Sequence, residues 1–209
     1  MKSKYKNRIL LVGITVGSVF FHHEPGKKPC AEFYFQPLKK KYCEKERMIL
    51  RCKAYDEAAY TVKTSYHGYF YLVCQKVTSD LDPYDAWETQ DYLLVVHAFS
   101  GCSALESRIF NHASCSGDVI YFSEGPGDKQ EFMLFGFDSC GDSHSFYCRM
   151  ARPLTQEEKM LLQEKAAVTV IGEIRPHQEA DDNFSVTDMM DAWKHLILSV
   201  RRIIPLKRR

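Results

Sequence analysis

The sequence predicts a mainly β fold, a single antiparallel β-barrel or sandwich with C-terminal α-helices. Three observations predict it. β-prone runs recur along the chain, the strongest being Tyr66–Val77 and Asp91–Phe99, rich in Tyr, Phe, Val and Leu. Polar turn residues separate them, as at Asp80, Asp82, Pro83 and Asp85 and again at Glu124 to Asp128. Helical signals gather late in the chain, where Thr155-Gln156-Glu157-Glu158 has the form of a capping box. At 209 residues, 45% hydrophobic and 26% charged, the chain can build one sizeable core or at most two small ones.

Taken in order, Lys2, Lys4, Lys6 and Arg8 precede the apolar run Ile9–Phe21, which only glycines, Thr15 and Ser18 interrupt. A basic start, an apolar run and polar His22, His23, Glu24 and Pro25 read as a secretory signal peptide over residues 1–21. Val16 and Ser18 fit the small-residue rule before a cleavage point. The alternative is a buried first strand, because Ile, Val and Phe suit strands equally well. A loop follows at His22–Pro29, then a short aromatic segment at Ala31–Phe35 and strand-like segments at Met48–Cys52 and Ala59–Lys63. Tyr66–Val77 and Asp91–Phe99 form a hairpin with a long connection. Ser103 to Glu106 is a capping box that opens a short helix to about Ala113. A strand at Asp118–Phe122 precedes a second hairpin, made by Glu131–Phe137 and Ser145–Met150. Helices are expected from Thr155 to about Ala167 and from Ser185 to about Arg202, with a strand at Val168–Ile174 between them. Met189, Trp193, Leu196, Ile197 and Val200 share one face of the last helix. Residues 22–178 therefore read as a β-rich domain with short helices, and residues 179–209 as a C-terminal helix and basic tail.

None of the eight cysteines forms a CxxC pair, so zinc ribbons and thioredoxin-type redox pairs are unsupported. An even, dispersed set behind a signal peptide suits a secreted, disulfide-bonded protein, and Asn183-Phe184-Ser185 is a compatible sequon. Cys140, His144 and Cys148, with His112 and Cys115 upstream, are the best metal candidate. Their irregular spacing favours a disulfide or buried thiols, so no metal and no cofactor are expected. The sequence holds no G-x-S-x-G, Walker loop or H-E-x-x-H, and no catalytic residue is assigned. A net charge of +1 lacks the broad positive field of most nucleic-acid binders, which argues against a nucleic-acid partner. Lys39 to Lys41 and the tail residues Arg201, Arg202 and Lys207 to Arg209 read as solvated charge. The N-terminal run is too short for a stable membrane span.

Thr64-Ser65-Tyr66-His67-Gly68-Tyr69, followed by a strand, a polar loop, a strand and a capped helix, resembles the T-D-Y-x-x-Y element of lipocalins, with Ser65 in place of the aspartate. The arrangement looks like the salivary lipocalins of insects and ticks. In a second placement, Glu131–Phe137, Ser145–Arg149, Arg152 and Leu154-Thr155 resemble the last hairpin and C-terminal helix of that family. The G-x-W motif of the first strand is absent. The resemblance implies a secreted binding protein that holds a small apolar ligand in an eight-stranded barrel. Tyr69, Tyr71, Val73, Leu93, Val95 and His97 would line it by period two, and the opposite parity is nearly as consistent. The alternatives are a secreted β-sandwich that binds a protein partner and an intracellular α+β interaction domain with free thiols.

Overall fold

The computed structural model describes residues 5–38, 48–65, 68–78, 92–102, 111–124, 130–137, 141–176 and 196–206. The mainly β expectation holds, and the strands close as barrels. β1 (Asn7–His22), β2 (Cys30–Pro37), β3 (Leu50–Tyr55), β4 (Tyr69–Thr78) and β5 (Tyr92–Cys102) form the first. Its order is β1-β2-β3-β5-β4 and back to β1, with every neighbour antiparallel except β3 and β5. β6 (Asn111–Glu124), β7 (Gln130–Phe137), β8 (Ser143–Met150), β9 (Ala167–Pro176) and β10 (Leu196–Pro205) repeat this order, with β8 and β10 as the parallel pair. Helix α1 (Asp56–Thr64) joins the third and fourth strands of barrel 1, and α2 (Gln156–Gln163) does so in barrel 2. This connectivity is that of the OB-fold, a five-stranded Greek-key barrel, present here twice.

The two barrels meet through their first strands. β1 and β6 pair antiparallel, with Asn7 opposite Cys115, Ile9 opposite Ala113 and Leu11 opposite Asn111. Ile9 faces its counterpart Ala113, and Asn7 and Asn111 lie symmetrically on either side of that pair, so the pairing has a local two-fold. Asn7 clamps the backbone of Lys76 on β4, giving Nδ2 to its carbonyl at 2.6 Å and taking its N–H at 3.1 Å. Asn111 clamps Ile174 on β9 in the same way, at 2.7 and 2.9 Å. Within its own barrel β1 pairs with β2 and β4, and β6 with β7 and β9, and a glycine sits where the two pairings of each strand meet. A Cβ on Gly13 would lie 2.2 Å from the Gln36 carbonyl oxygen, and one on Gly117 would lie 2.4 Å from that of Phe135.

Inward residues alternate along the strands as the pleat requires. In barrel 1, Phe33, Phe35, Leu50, Cys52, Leu72, Cys74, Leu94 and Val96 are buried, and the Phe99 ring lies against Phe33, Phe35 and Phe70 at centroid distances of 5.7, 6.4 and 4.7 Å. Phe132, Leu134, Phe146, Cys148, Val170 and Leu198 fill barrel 2, and both sets form one core through Ile9, Leu11, Ala113 and Cys115. Each fully buried Phe or Leu contributes about 1.5–3 kcal/mol.

Several expectations are corrected here. The run Ile9–Phe21 is β1, with Ile9 and Leu11 fully buried and hydrogen-bonded neighbours on both sides, and not a signal peptide. Cleavage after it would open barrel 1. Cys30, Cys52, Cys74, Cys102, Cys115 and Cys148 are free thiols, so the disulfide framework is absent among the described residues. Four of these serve as small inward residues of the core. With both its supports gone, the assignment to a secreted protein falls. Ala59–Lys63 belongs to α1 rather than to a strand, and Leu196–Arg202 lies in β10 rather than in a helix. Residues 185–195 lie outside the described residues, as do 103–110 of the expected helix, whose last residues Asn111 to Ala113 belong to β6. The capping box at Thr155 is present, with Thr155 and Glu158 exchanging bonds at 3.2 and 3.0 Å.

Candidate functional site

Cross-strand register decides which side chains share the outer face of each barrel. On barrel 1 the rows across β1, β2 and β3 are Val16, Tyr34 and Arg51, then Phe20, Glu32 and Lys53, then His22, Cys30 and Tyr55. Phe20 is 59% exposed and Tyr55 38%, large apolar areas for a sheet face. Glu32 sits among the cations. Its carboxylate accepts from Lys53 Nζ at 2.8 Å and has Arg51 at 3.7 Å. The Lys53 bond holds the Glu32 carboxyl below its ordinary range and holds the Lys53 ammonium above its own. The ammonium also lies 5.7 Å from the Tyr55 ring centroid.

Barrel 2 repeats the arrangement on β6, β7 and β8. Its rows are Asp118, Phe135 and Ser145, then Tyr121, Met133 and Tyr147, then Ser123, Glu131 and Arg149, with Phe137 opposite Ser143 at the far end; Met133, Ser143 and Ser145 are buried in these rows. A bulge between Val119 and Tyr121 sets Tyr121 on the outer face, 42% exposed, and Phe137 is 52% exposed. Glu131 stands where Glu32 stands, accepting from Arg149 Nε at 2.7 Å and from the Tyr147 hydroxyl. Partial burial and then the Glu131 bond push the Tyr147 hydroxyl pKa upward, so its proton stays on the bond. In both barrels an acid on the second strand fixes a cation on the third, which lowers the entropy lost when that cation meets an anion.

The residues expected to line a ligand cavity lie together, but outside barrel 1. Tyr69, Tyr71, Val73, Leu93, Val95 and His97 are half-buried or exposed, while Phe70, Leu72, Cys74, Leu94 and Val96 point inward. Both faces of β4 and β5 are apolar, so the sequence could not set the parity. The proposed lipocalin element is the end of α1 at Thr64 and the start of β4 at Tyr69, with residues 66–67 outside the described residues. In the metal candidate, His144 Nε2 lies 2.9 Å from the Ser116 carbonyl oxygen and Cys148 is a core thiol, while Cys140 lies outside the described residues. Among the described residues no group of three or more His, Cys, Asp and Glu could hold a metal. Burial pushes the thiols of Cys52, Cys74 and Cys148 well up and that of Cys115 to about 12. The outer faces of β1-β2-β3 and β6-β7-β8 were missed because their signal, aromatics and cations in alternation, is scattered over six short segments.

No family model matches the chain, and no curated protein does. Solved structures do match. The wild-type single-stranded DNA-binding protein of Thermus aquaticus superposes with a TM-score of 0.63 at 9% identity, covering 98% of this chain and 95% of that one. A deletion mutant of that protein gives 0.63 at 10% identity, over 98% and 96%. At such identity the likeness is one of fold, and it takes in both barrels. It overturns the lipocalin reading and the ligand-carrier function drawn from it, because a lipocalin is an eight-stranded up-and-down barrel without parallel neighbours. The sandwich and α+β alternatives also fall, since the strands close into two barrels. The argument against a nucleic-acid partner from net charge falls too, because both neighbours carry the name of single-stranded DNA-binding proteins.

Proposed function

We propose that this chain binds single-stranded nucleic acid across the outer faces of its two barrels. The observation that carries the reading is the pair of equivalent faces, each placing exposed aromatic rings beside a cation fixed by a carboxylate. These are the strands on which OB-folds bind oligonucleotides. Phe20, Tyr34 and Tyr55 on one barrel and Tyr121, Tyr147 and Phe137 on the other offer stacking surfaces. A stacked base gains about 1–3 kcal/mol with little regard to sequence. Arg51, Lys53 and Arg149 take backbone phosphates by charge-assisted hydrogen bonds. The fold shared with single-stranded DNA-binding proteins over nearly the whole chain supports this reading.

A net charge of +1 does not oppose it, because a local cationic strip suffices once stacking supplies part of the affinity. The test is a fluorescence anisotropy titration with labelled oligothymidylate of about 30 nucleotides, roughly two OB-fold site sizes. Binding is expected, with log affinity falling linearly in log salt, and a duplex of equal length should bind more weakly. No binding of the single strand at low salt would overturn the proposal.

A further inference from the structure

At one end of barrel 1 the aromatic surface does not stop at the outer face. The strand β1 ends with Phe20 and His22 on the outer side and Phe21 on the inner side, so its tip carries rings on both surfaces. Behind the tip stands α1. Tyr60 of that helix, 43% exposed, packs its ring 5.2 Å from Phe21 and 6.0 Å, edge-on, from His23. The Tyr60 hydroxyl lies 3.1 Å from His23 Nδ1, and Lys63 Nζ sits 4.3 Å from the Phe21 ring centroid. Tyr60, His23 and Lys63 thus form an exposed cluster outside the sheet face, seated on Phe21, which is partly buried against the core.

The cluster is anchored where the β1–β2 turn meets α1. Asp56 adopts a left-handed backbone, φ +54°, a conformation that is unfavourable for a residue with a Cβ. Its N–H bonds the Pro29 carbonyl at 3.0 Å and its carboxylate pairs with Lys28 at 3.3 Å. The turn is thereby tied to the start of the helix, and Tyr55, on the outer face, immediately precedes that junction. The outer-face residues Phe20, Lys53 and Tyr55 and the cluster of His23, Tyr60 and Lys63 thus flank the same β1–β2 turn. In barrel 2, α2 carries no aromatic residue; Met160 is exposed there and Lys159 pairs with Glu124 at 2.7 Å.

We propose that the Tyr60, His23, Phe21 and Lys63 cluster is a second contact zone for the single strand, taking a base by stacking and its phosphate on Lys63 after the strand leaves the sheet face over the β1–β2 turn. This rests on the nucleic-acid reading above. Stacking explains why rings stay exposed in a small domain, and the ammonium over Phe21 is already placed for a phosphate beside a stacked base.

The test pairs Tyr60→Ala with Lys63→Gln in the full chain, against Tyr60→Phe as a control that keeps the ring. Affinity and occluded site size are measured on oligothymidylate and oligouridylate, with the melting temperature followed in parallel. Tyr60 is partly packed on Phe21, so a small drop in melting temperature is expected for Tyr60→Ala, and affinities are compared well below the transition of every variant. The double variant should lose about tenfold in affinity and cover fewer nucleotides, while Tyr60→Phe behaves as wild type. A loss on only one of the two polymers assigns the zone to that nucleic acid. Unchanged affinity and site size in the double variant, with wild type binding, would overturn this inference alone. Failure of wild type to bind either polymer would overturn the nucleic-acid reading and this inference together.

Discussion

Barrel 1 and barrel 2 share strand order, the clamping asparagines Asn7 and Asn111, the glycines Gly13 and Gly117, and the face acids Glu32 and Glu131. They differ in what surrounds the acid. Barrel 1 has two cations, Arg51 and Lys53, beside Glu32. Barrel 2 puts Tyr147 at the position of Arg51 and keeps Arg149, with Tyr121 in the neighbouring row and Phe135 and Phe137 further along β7. The scaffold is repeated and so are the rings, with Phe20, Tyr34 and Tyr55 on one face and Tyr121, Tyr147 and Phe137 on the other, whereas barrel 1 carries one more cation beside its acid. The interiors differ too. Lys76 on β4 corresponds to Ile174 on β9, and its ammonium reaches into barrel 2, donating to the Ser145 carbonyl at 2.6 Å beside the Phe146 ring.

The largest expected effect tests the shared scaffold. Gly13→Ala and Gly117→Ala each set a methyl against a backbone carbonyl, and each should cost roughly 2–3 kcal/mol of unfolding free energy by denaturant titration. A harmless change in one barrel only would break the equivalence. Next come the faces. Arg51→Ala with Lys53→Ala should weaken oligothymidylate binding on the order of tenfold or more at low salt and flatten the salt slope by about two. Tyr121→Ala with Phe137→Ala should cost about 1–3 kcal/mol per lost stack and leave the salt slope as it was. Equal slopes for the two double variants would refute the roles of phosphate contact for Arg51 and Lys53 and stacking for Tyr121 and Phe137.

Lys76 gives a smaller effect with a definite sign. Burial pulls its pKa down to about 8, opposed by the nearby thiols of Cys115 and Cys148. The folded state therefore holds this proton less tightly than the unfolded chain does. Carrying the buried charge costs stability below pH 8, and the cost fades as pH rises from about 8 towards the ordinary lysine range near 10.4. Lys76→Met, closer to the Ile174 of barrel 2, should raise unfolding free energy at pH 7 by about 1–2 kcal/mol after losing the Ser145 bond. Its advantage over wild type should shrink at alkaline pH. Titration of the four buried cysteines, common to both proteins, largely cancels in that difference. The smallest effect falls on α2, where Thr155→Ala removes one half of the capping box and should cost about 1 kcal/mol.

Strands were legible where alternation or turn chemistry was unambiguous, as at β4, β5, β7 and β8, and α2 was legible from its capping box. β1 was misread because a basic start and an apolar run serve a signal peptide and a buried strand alike. α1 was hidden by β-prone Tyr60, Thr61 and Val62, although Asp56, Glu57 and Lys63 complement a helix dipole. β10 was hidden because Leu196, Ile197 and Val200 satisfy a helical period as readily as Leu196, Leu198 and Val200 satisfy a strand. The duplication left no periodic trace. Its matched residues are few, and unequal connections shift their spacing. The binding faces depend on cross-strand register, which places Phe20 beside Glu32 and Lys53, and sequence neighbours alone do not reveal that row.

The central claim is that one strand lies on the outer faces of both barrels. Photocrosslinking with a 5-iodouracil-substituted oligonucleotide, followed by mass spectrometry of the attached peptides, tests it directly. The account predicts crosslinks at Phe20, Tyr34 or Tyr55 and also at Tyr121, Tyr147 or Phe137 in the same complex. Crosslinks confined to the outer side of β4 and β5, at Tyr69, Tyr71 or His97, would contradict it.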